Sequence, residues 1–145
     1  MSPSVPSLQD SVTESLPRLL AAFPDMPVIV AGYLNVIERG HQPPHKVFGN
    51  WEYDFCDSFQ AARLTDAFRH LHSGEVGHSW FGRSGNGFRF DHLFVSTPHA
   101  ERVLSCDYHL EARDGGLTDH AVMTLRLGLP STPGEQGEAS VTGAG

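Results

Sequence analysis

Positive charge is scarce in this sequence. Its 145 residues carry 10 Lys+Arg against 17 Asp+Glu, a formal net charge of −7, and Lys46 is the sole lysine. That balance excludes a broad, sequence-independent nucleic-acid binder, which needs a positive face to displace phosphate counterions. It leaves room for an enzyme that touches one phosphate. Long apolar runs are also missing. Nothing approaches the roughly 18 residues of a membrane span, and "MSPSVPSLQDSV" has neither the basic flank nor the apolar stretch of a signal peptide. Cysteine is limited to Cys56 and Cys106, far apart and without metal-ligand spacing, which reads as two reduced, partly buried thiols in a cytoplasmic protein. There is no P-loop, no GxGxxG opening a helix, no HExxH and no GxSxG.

What is present suits one folded domain: 39% hydrophobic and 19% charged residues. Residues 1–13 read as a flexible leader, 14–127 as the domain and 128–145 as a disordered Gly/Pro/Ser-rich tail. Leu16, Leu19, Leu20 and Phe23 follow helical spacing, with Ser15 as the N-cap and Pro17 in the first turn. Val28–Ala31 reads as a strand running into a glycine. Residues 39–50 form a loop around Pro43-Pro44. Phe55, Phe59 and Ala62 share a helical face, with Asp57 as a cap, and residues 65–72 form a short helix with Ala67, Phe68 and Leu71 inward. Then the period changes. Residues 78–81 and 88–96 read as a hairpin across "GRSGNG", and 101–110 and 121–127 as further strands. The fold class is mixed α/β (α+β), with one mainly antiparallel sheet flanked by helices.

Three polar groupings sit on strands or at their ends: Asn35, Asp91 inside "GFRFDHLFVS", and Asp119-His120 after a Gly-Gly loop. Asp91 is costly in so apolar a strand unless it is paired, and a histidine is the natural partner. An imidazole held by a carboxylate stabilises a phosphoryl transition state, a second aspartate can hold Mg²⁺, and an asparagine can donate to a phosphate oxygen. Asp91 and His120 are therefore expected within hydrogen-bonding reach. Each residue also has a plainer explanation. Asn35 and Asp119 suit turns, Asp91 suits an edge strand, and His41, His45, His70, His72, His78, His92, His99 and His109 suit surface or packing positions.

In their order along the chain, these pieces resemble the endonuclease/exonuclease/phosphatase superfamily of exonuclease III-like metal-dependent phosphodiesterases. "VIVAGYLNVIERG" is similar to its strand followed by Gly-Asp-x-Asn, and "LTDAFRHLH" to the segment after the motif loop. "HSWFGRSGNGFRFDHLFVS" is similar to the stretch ending in Arg-x-Asp, and "GLTDHAVMTLRL" to the terminal Ser/Thr-Asp-His and last strand. The resemblance implies that Asn35 binds the scissile phosphate, Asp91 orients His120, His120 stabilises the transition state and Asp119 helps hold Mg²⁺ or Mn²⁺. It places Trp80 and Asn86 near the substrate groove, and a phosphoester, nucleic acid among the candidates, as the substrate.

Two departures stand out. Tyr33 occupies the place of the aspartate that activates the attacking water, and a phenol is neutral where a carboxylate is charged. The match covers only the C-terminal half of the family's four-layer sandwich, while the principal metal-ligand glutamate belongs to the other half. Glu38, Glu135 and Glu138 do not match it. The expectation is a phosphodiesterase that is impaired alone or dependent on a second polypeptide, whether a homodimer partner or a complementing N-terminal-half chain, with only weak metal binding. The alternative is a non-catalytic binding or regulatory module on a nuclease fold, in which Tyr33 stacks on a base or sugar.

Overall fold

The structure, a computed structural model, describes residues 7–130. The expected leader lies partly and the tail mostly outside the described residues. No described helix is long and apolar enough to cross a membrane.

Helix α1 spans Leu8–Ala22, seven residues earlier than its expected cap. Ser7 accepts from the Asp10 backbone N–H and Asp10 reaches back to the Ser7 N–H, a reciprocal cap that satisfies two orphan donors. Ser15 is not the cap; it bonds the Ser11 carbonyl from inside the helix. Pro17 therefore lies mid-helix, not in the first turn. Helix α2 (Asn50–Ala61) starts from Gly49, so Asp57 is a mid-helix residue and pairs instead with Arg39 at 3.1 Å.

The central element is β5 (Asp91–Ser96), paired antiparallel with β1 (Ile29–Tyr33) on one side and β2 (Leu64–Asp66) on the other. Its alternating side chains feed two cores. Phe94 packs with Leu16 of α1 and Phe59 of α2, and its ring stacks on Phe59 at 4.5 Å. Leu93 and Val95 face helix α3 (Ala67–Leu71) and the hairpin of β6 (Val103–His109) and β7 (Val122–Leu127). A strand buried on both faces has a near-continuous apolar sequence, which is why "HLFVS" shows no clean alternation. Burying each such side chain stabilises by about 1.5–3 kcal/mol.

The remaining pieces refine the expected outline. Among the described residues there are three small antiparallel sheets, not one continuous sheet. The expected helix at 65–72 opens with β2, and Asp66 caps α3 by accepting from the Arg69 N–H; Leu71 is exposed, not inward. The expected strand at 88–96 is broken. β4 (Gly87–Phe88) pairs with β3 (Trp80–Phe81), and Arg89-Phe90 separate it from β5. Gly85 turns the β3–β4 connection at φ 82, in the left-handed region that favours glycine. A 3₁₀ turn covers Thr97–Arg102, and helix α4 (Glu111–Asp114) occupies part of the loop expected at 112–120. Both cysteines are free and buried, and burial pushes each thiol up to about 12.

Candidate active site

Strands β1 and β5 run antiparallel, so the end of one meets the start of the other, and Tyr33 lies across from Asp91. Just beyond, Leu34 N–H bonds the Phe90 carbonyl and the chain turns at Asn35, whose φ is 57. Asparagine tolerates this left-handed conformation better than bulkier residues. The buried His92 fixes the next residue by donating from Nε2 to the Val36 carbonyl at 2.8 Å. Its other ring nitrogen is buried without a partner.

From the opposite direction, Ala121 N–H bonds the Ser79 carbonyl and His120 bridges Trp80, so the start of β7 is tied to β3. This brings the two halves of the site together. His120 Nδ1 lies 2.6 Å from Asp91 Oδ2, with both side chains largely buried. With Nδ1–H donating to the carboxylate, Nε2 is left facing the site. Its nearest acidic neighbour is Asp119, at 4.0 Å, whose side chain is 83% exposed.

Tyr33 touches both phosphate-site candidates. Its hydroxyl donates to Asn35 Oδ1 at 3.0 Å, and its ring stands edge-on to His120 at 4.4 Å between centroids. The structure thus gathers Tyr33, Asn35, Asp91, Asp119 and His120 at one place. Trp80 flanks them through Phe90, which lies 5.5 Å from Trp80 and 6.1 Å from Tyr33. Asn86 sits in the exposed β3–β4 loop, where its carbonyl accepts from Gly82 N–H.

Beneath this surface lies a network that sequence reasoning missed. Arg89 is fully buried. Its guanidinium bonds Glu38 Oε2 at 2.8 Å and Asp66 Oδ2 at 2.5 Å, and Arg69 also binds Glu38. Tyr108 accepts from Arg89 and donates its hydroxyl to the Asp91 carbonyl at 2.6 Å. His41 Nε2 accepts the Arg89 backbone N–H at 3.0 Å. The carboxylate that pairs with His120 therefore stands on a buried ionic frame. A signal was present: Arg89 is flanked by Phe88 and Phe90 and demands buried partners as much as Asp91 does. Burial opposes ionisation of both Arg89 and Glu38. The carboxylates more than offset this and raise the Arg89 pKa, while Arg69 and Arg89 bring Glu38 down from 4.5 to about 2.

These shifts predict an acid lability in two ranges. Burial lowers the folded-state pKa of His92 from 6.5 to about 4, so the unfolded chain takes up the proton first and stability falls as pH drops from 6.5 to 4. Glu38 is depressed as well, so its contribution is present above 4.5 and is lost as pH falls towards 2. Urea midpoints measured against pH should decline through both ranges. Glu38→Gln should lower the whole curve and flatten its lower part; an unchanged slope below pH 4.5 would show that Glu38 does not carry it.

The divalent cation implied by the resemblance does not fit the described donors. Mg²⁺ takes oxygen ligands, usually from one or two carboxylates together with substrate phosphates and waters. Asp91 is committed to His120, Asp119 stands alone, and Tyr33 offers a neutral hydroxyl already bonded to Asn35. Among the described residues, no group of three or more His, Cys, Asp or Glu side chains could hold a metal ion.

No protein-family model matches the chain. It is 35% identical over 99 residues to a DNA-(apurinic or apyrimidinic site) endonuclease from Arabidopsis thaliana, a match covering 59% of this chain and 27% of that protein. Among solved structures, it superposes on a 3′ phosphatase from Neisseria bound to a product DNA hairpin with a TM-score of 0.74 at 21% identity, over 83% of this chain and 52% of that one. An AP endonuclease from Leishmania major gives 0.71 at 24%, over 87% and 44%. The chain thus spans about a quarter of the curated relative and about half of these structures. Its mixed helical and antiparallel architecture is theirs. A 3′–5′ exonuclease from Neisseria meningitidis shares the fold as well, with a TM-score of 0.72 at 22% identity, over 83% of this chain and 52% of that one.

Proposed function

We propose that this chain handles the phosphoester groups of DNA as part of an exonuclease III-like phosphodiesterase, and that by itself it is weak or inactive in hydrolysing them. The Asp91–His120 pair at 2.6 Å, beside Asn35, carries this reading. In it, Asn35 Nδ2 donates to a non-bridging phosphate oxygen. His120 Nε2 meets the charge that develops on the phosphoryl group, and Asp91 holds the imidazole in place. The DNA-acting names of the relatives support the substrate class. No described residue stands in for the principal metal-ligand glutamate that the resemblance assigns to the other half, which is why full hydrolysis needs groups from a second polypeptide, either a complementing N-terminal-half segment or a second copy of this chain. The reading places the protein in the cytoplasm.

The test is a nuclease and phosphatase screen with Mg²⁺ and Mn²⁺ on DNA carrying abasic sites or terminal phosphates. The chain alone should stay near background. Addition of the N-terminal half of an exonuclease III-like relative should produce cleavage, and His120→Ala in that complex should reduce it by about 100-fold. Cleavage indifferent to His120 would overturn the assignment.

The contacts of Tyr33 with both Asn35 and His120 favour a second reading, a binding module that holds a phosphate without cleaving it. It predicts phosphate binding with no turnover even in the complemented complex.

A further inference from the structure

We propose that Asn35 and His120, arranged by Tyr33, form a site that takes a terminal phosphate group without a divalent cation. The inference rests on the reading of this site as a phosphoester site and adds how the ligand is held. It begins from the mismatch between the donor set and a metal. A site rich in carboxylates repels an anionic phosphate, and a cation between them turns that repulsion into attraction. Here the carboxylates are few and occupied. Asp91 is turned onto His120, and Asp119 is largely in solvent. At the third position stands a phenol, which carries no charge at neutral pH.

The phenol also organises what remains. Asn35 offers either an oxygen or an NH₂ group to its surroundings. The Tyr33 hydroxyl, 3.0 Å away, takes the oxygen, so the two N–H donors of Asn35 are left for an anion. Asp91 likewise takes Nδ1 of His120 and leaves Nε2. The edge-on Tyr33 ring, 4.4 Å from the imidazole, limits its rotation out of this position. Asn35 itself is held by the left-handed turn and the His92–Val36 bond behind it. Donors fixed before the ligand arrives lose little freedom on binding. Tyr33 acts through Asn35 and His120 and is a positioning residue.

The experiment uses the full chain, with binding followed by the Trp80 indole and Asn35 amide NMR signals. Two probes are titrated, inorganic phosphate and a terminally phosphorylated oligonucleotide, with the unphosphorylated oligonucleotide as control. Each titration is run in EDTA and in Mg²⁺. The unaltered chain should bind both phosphate probes with affinities that agree within about twofold between the two conditions, and should bind the control less tightly. Tyr33→Asp should weaken binding in EDTA by about tenfold or more and restore much of it in Mg²⁺. Tyr33→Phe keeps neutrality but frees Asn35, and should weaken binding by a smaller factor with no dependence on Mg²⁺. Tyr33 is exposed, so neither substitution empties the core. Binding by the unaltered chain only in Mg²⁺ would overturn the metal-independent site while leaving the phosphoester reading in place. Absence of phosphate binding in both conditions would overturn that reading as well.

Discussion

Arg89→Met lowers the stability of the chain by about 3–5 kcal/mol, the cost of breaking a buried ionic group by removing one partner. Methionine fills much of the arginine volume, so the loss is electrostatic more than a matter of cavity. The guanidinium is fully buried, while the Glu38 and Asp66 side chains are each 17% exposed. Without Arg89, Asp66 loses its buried counter-ion, and Glu38 keeps only Arg69. A loss of that size is a large share of the 5–15 kcal/mol that holds a typical domain folded. The exposed Arg39, which pairs with Asp54 and Asp57, provides the contrast, because solvent screens it and its removal should be far milder. Urea denaturation of the two variants decides the matter. If Arg89→Met costs no more than Arg39→Met, the network does not carry the weight assigned to it. The effect should also reach the site, because Tyr108 bridges Arg89 and the Asp91 carbonyl. The His120 ring signals should therefore broaden or split in Arg89→Met under conditions where the chain is still folded.

The contrast between Asp91 and Arg89 shows what could be read from sequence. Asp91, Asn35, Asp119 and His120 each stand beside a strand, and the strand fixes where they go, so four short ordered stretches were enough to bring them together. The frame below was not legible in that way. Glu38, Asp66 and Arg89 come from a loop, a strand end and the break between β4 and β5, and no local pattern links positions 23 or 51 residues apart. Tyr108 read only as part of an alternating strand, yet its hydroxyl clamps the Asp91 carbonyl. The start of α1 was missed for a different reason. Prolines and serines ahead of it suggested a leader, and the Ser7–Asp10 box was overlooked because Asp stands where Glu or Gln is usual. The break at Arg89-Phe90 was hidden by the apolar run around it. Ser79 explains it: its hydroxyl accepts the N–H groups of Phe90 and Asp91 in place of a strand partner.

Tyr33→Asp supplies the second large effect, and it depends on what accompanies the chain. Alone, the variant should show no phosphodiesterase activity. The substitution puts a carboxylate where the resemblance sets the water-activating aspartate, but it does not supply the principal metal-ligand glutamate that the resemblance assigns to the other half. Groups that act as one catalytic unit are strongly non-additive, so repairing one of two defects recovers little. Supplied with the N-terminal half of an exonuclease III-like relative, the same variant should exceed the unaltered chain in that complex by orders of magnitude, since a positioned base or a metal-assisted nucleophile is worth factors of that size. The measurement is metal-dependent cleavage of abasic-site DNA by four samples: each chain alone, and each with the added half. Clear activity of Tyr33→Asp alone would mean that its own residues complete a metal site. Equal rates for the two complexes would mean that Tyr33 does not stand where the water is activated. Its contacts with Asn35 and His120 would then need another purpose, and the phosphate-binding site proposed for this chain is the one that its geometry supports.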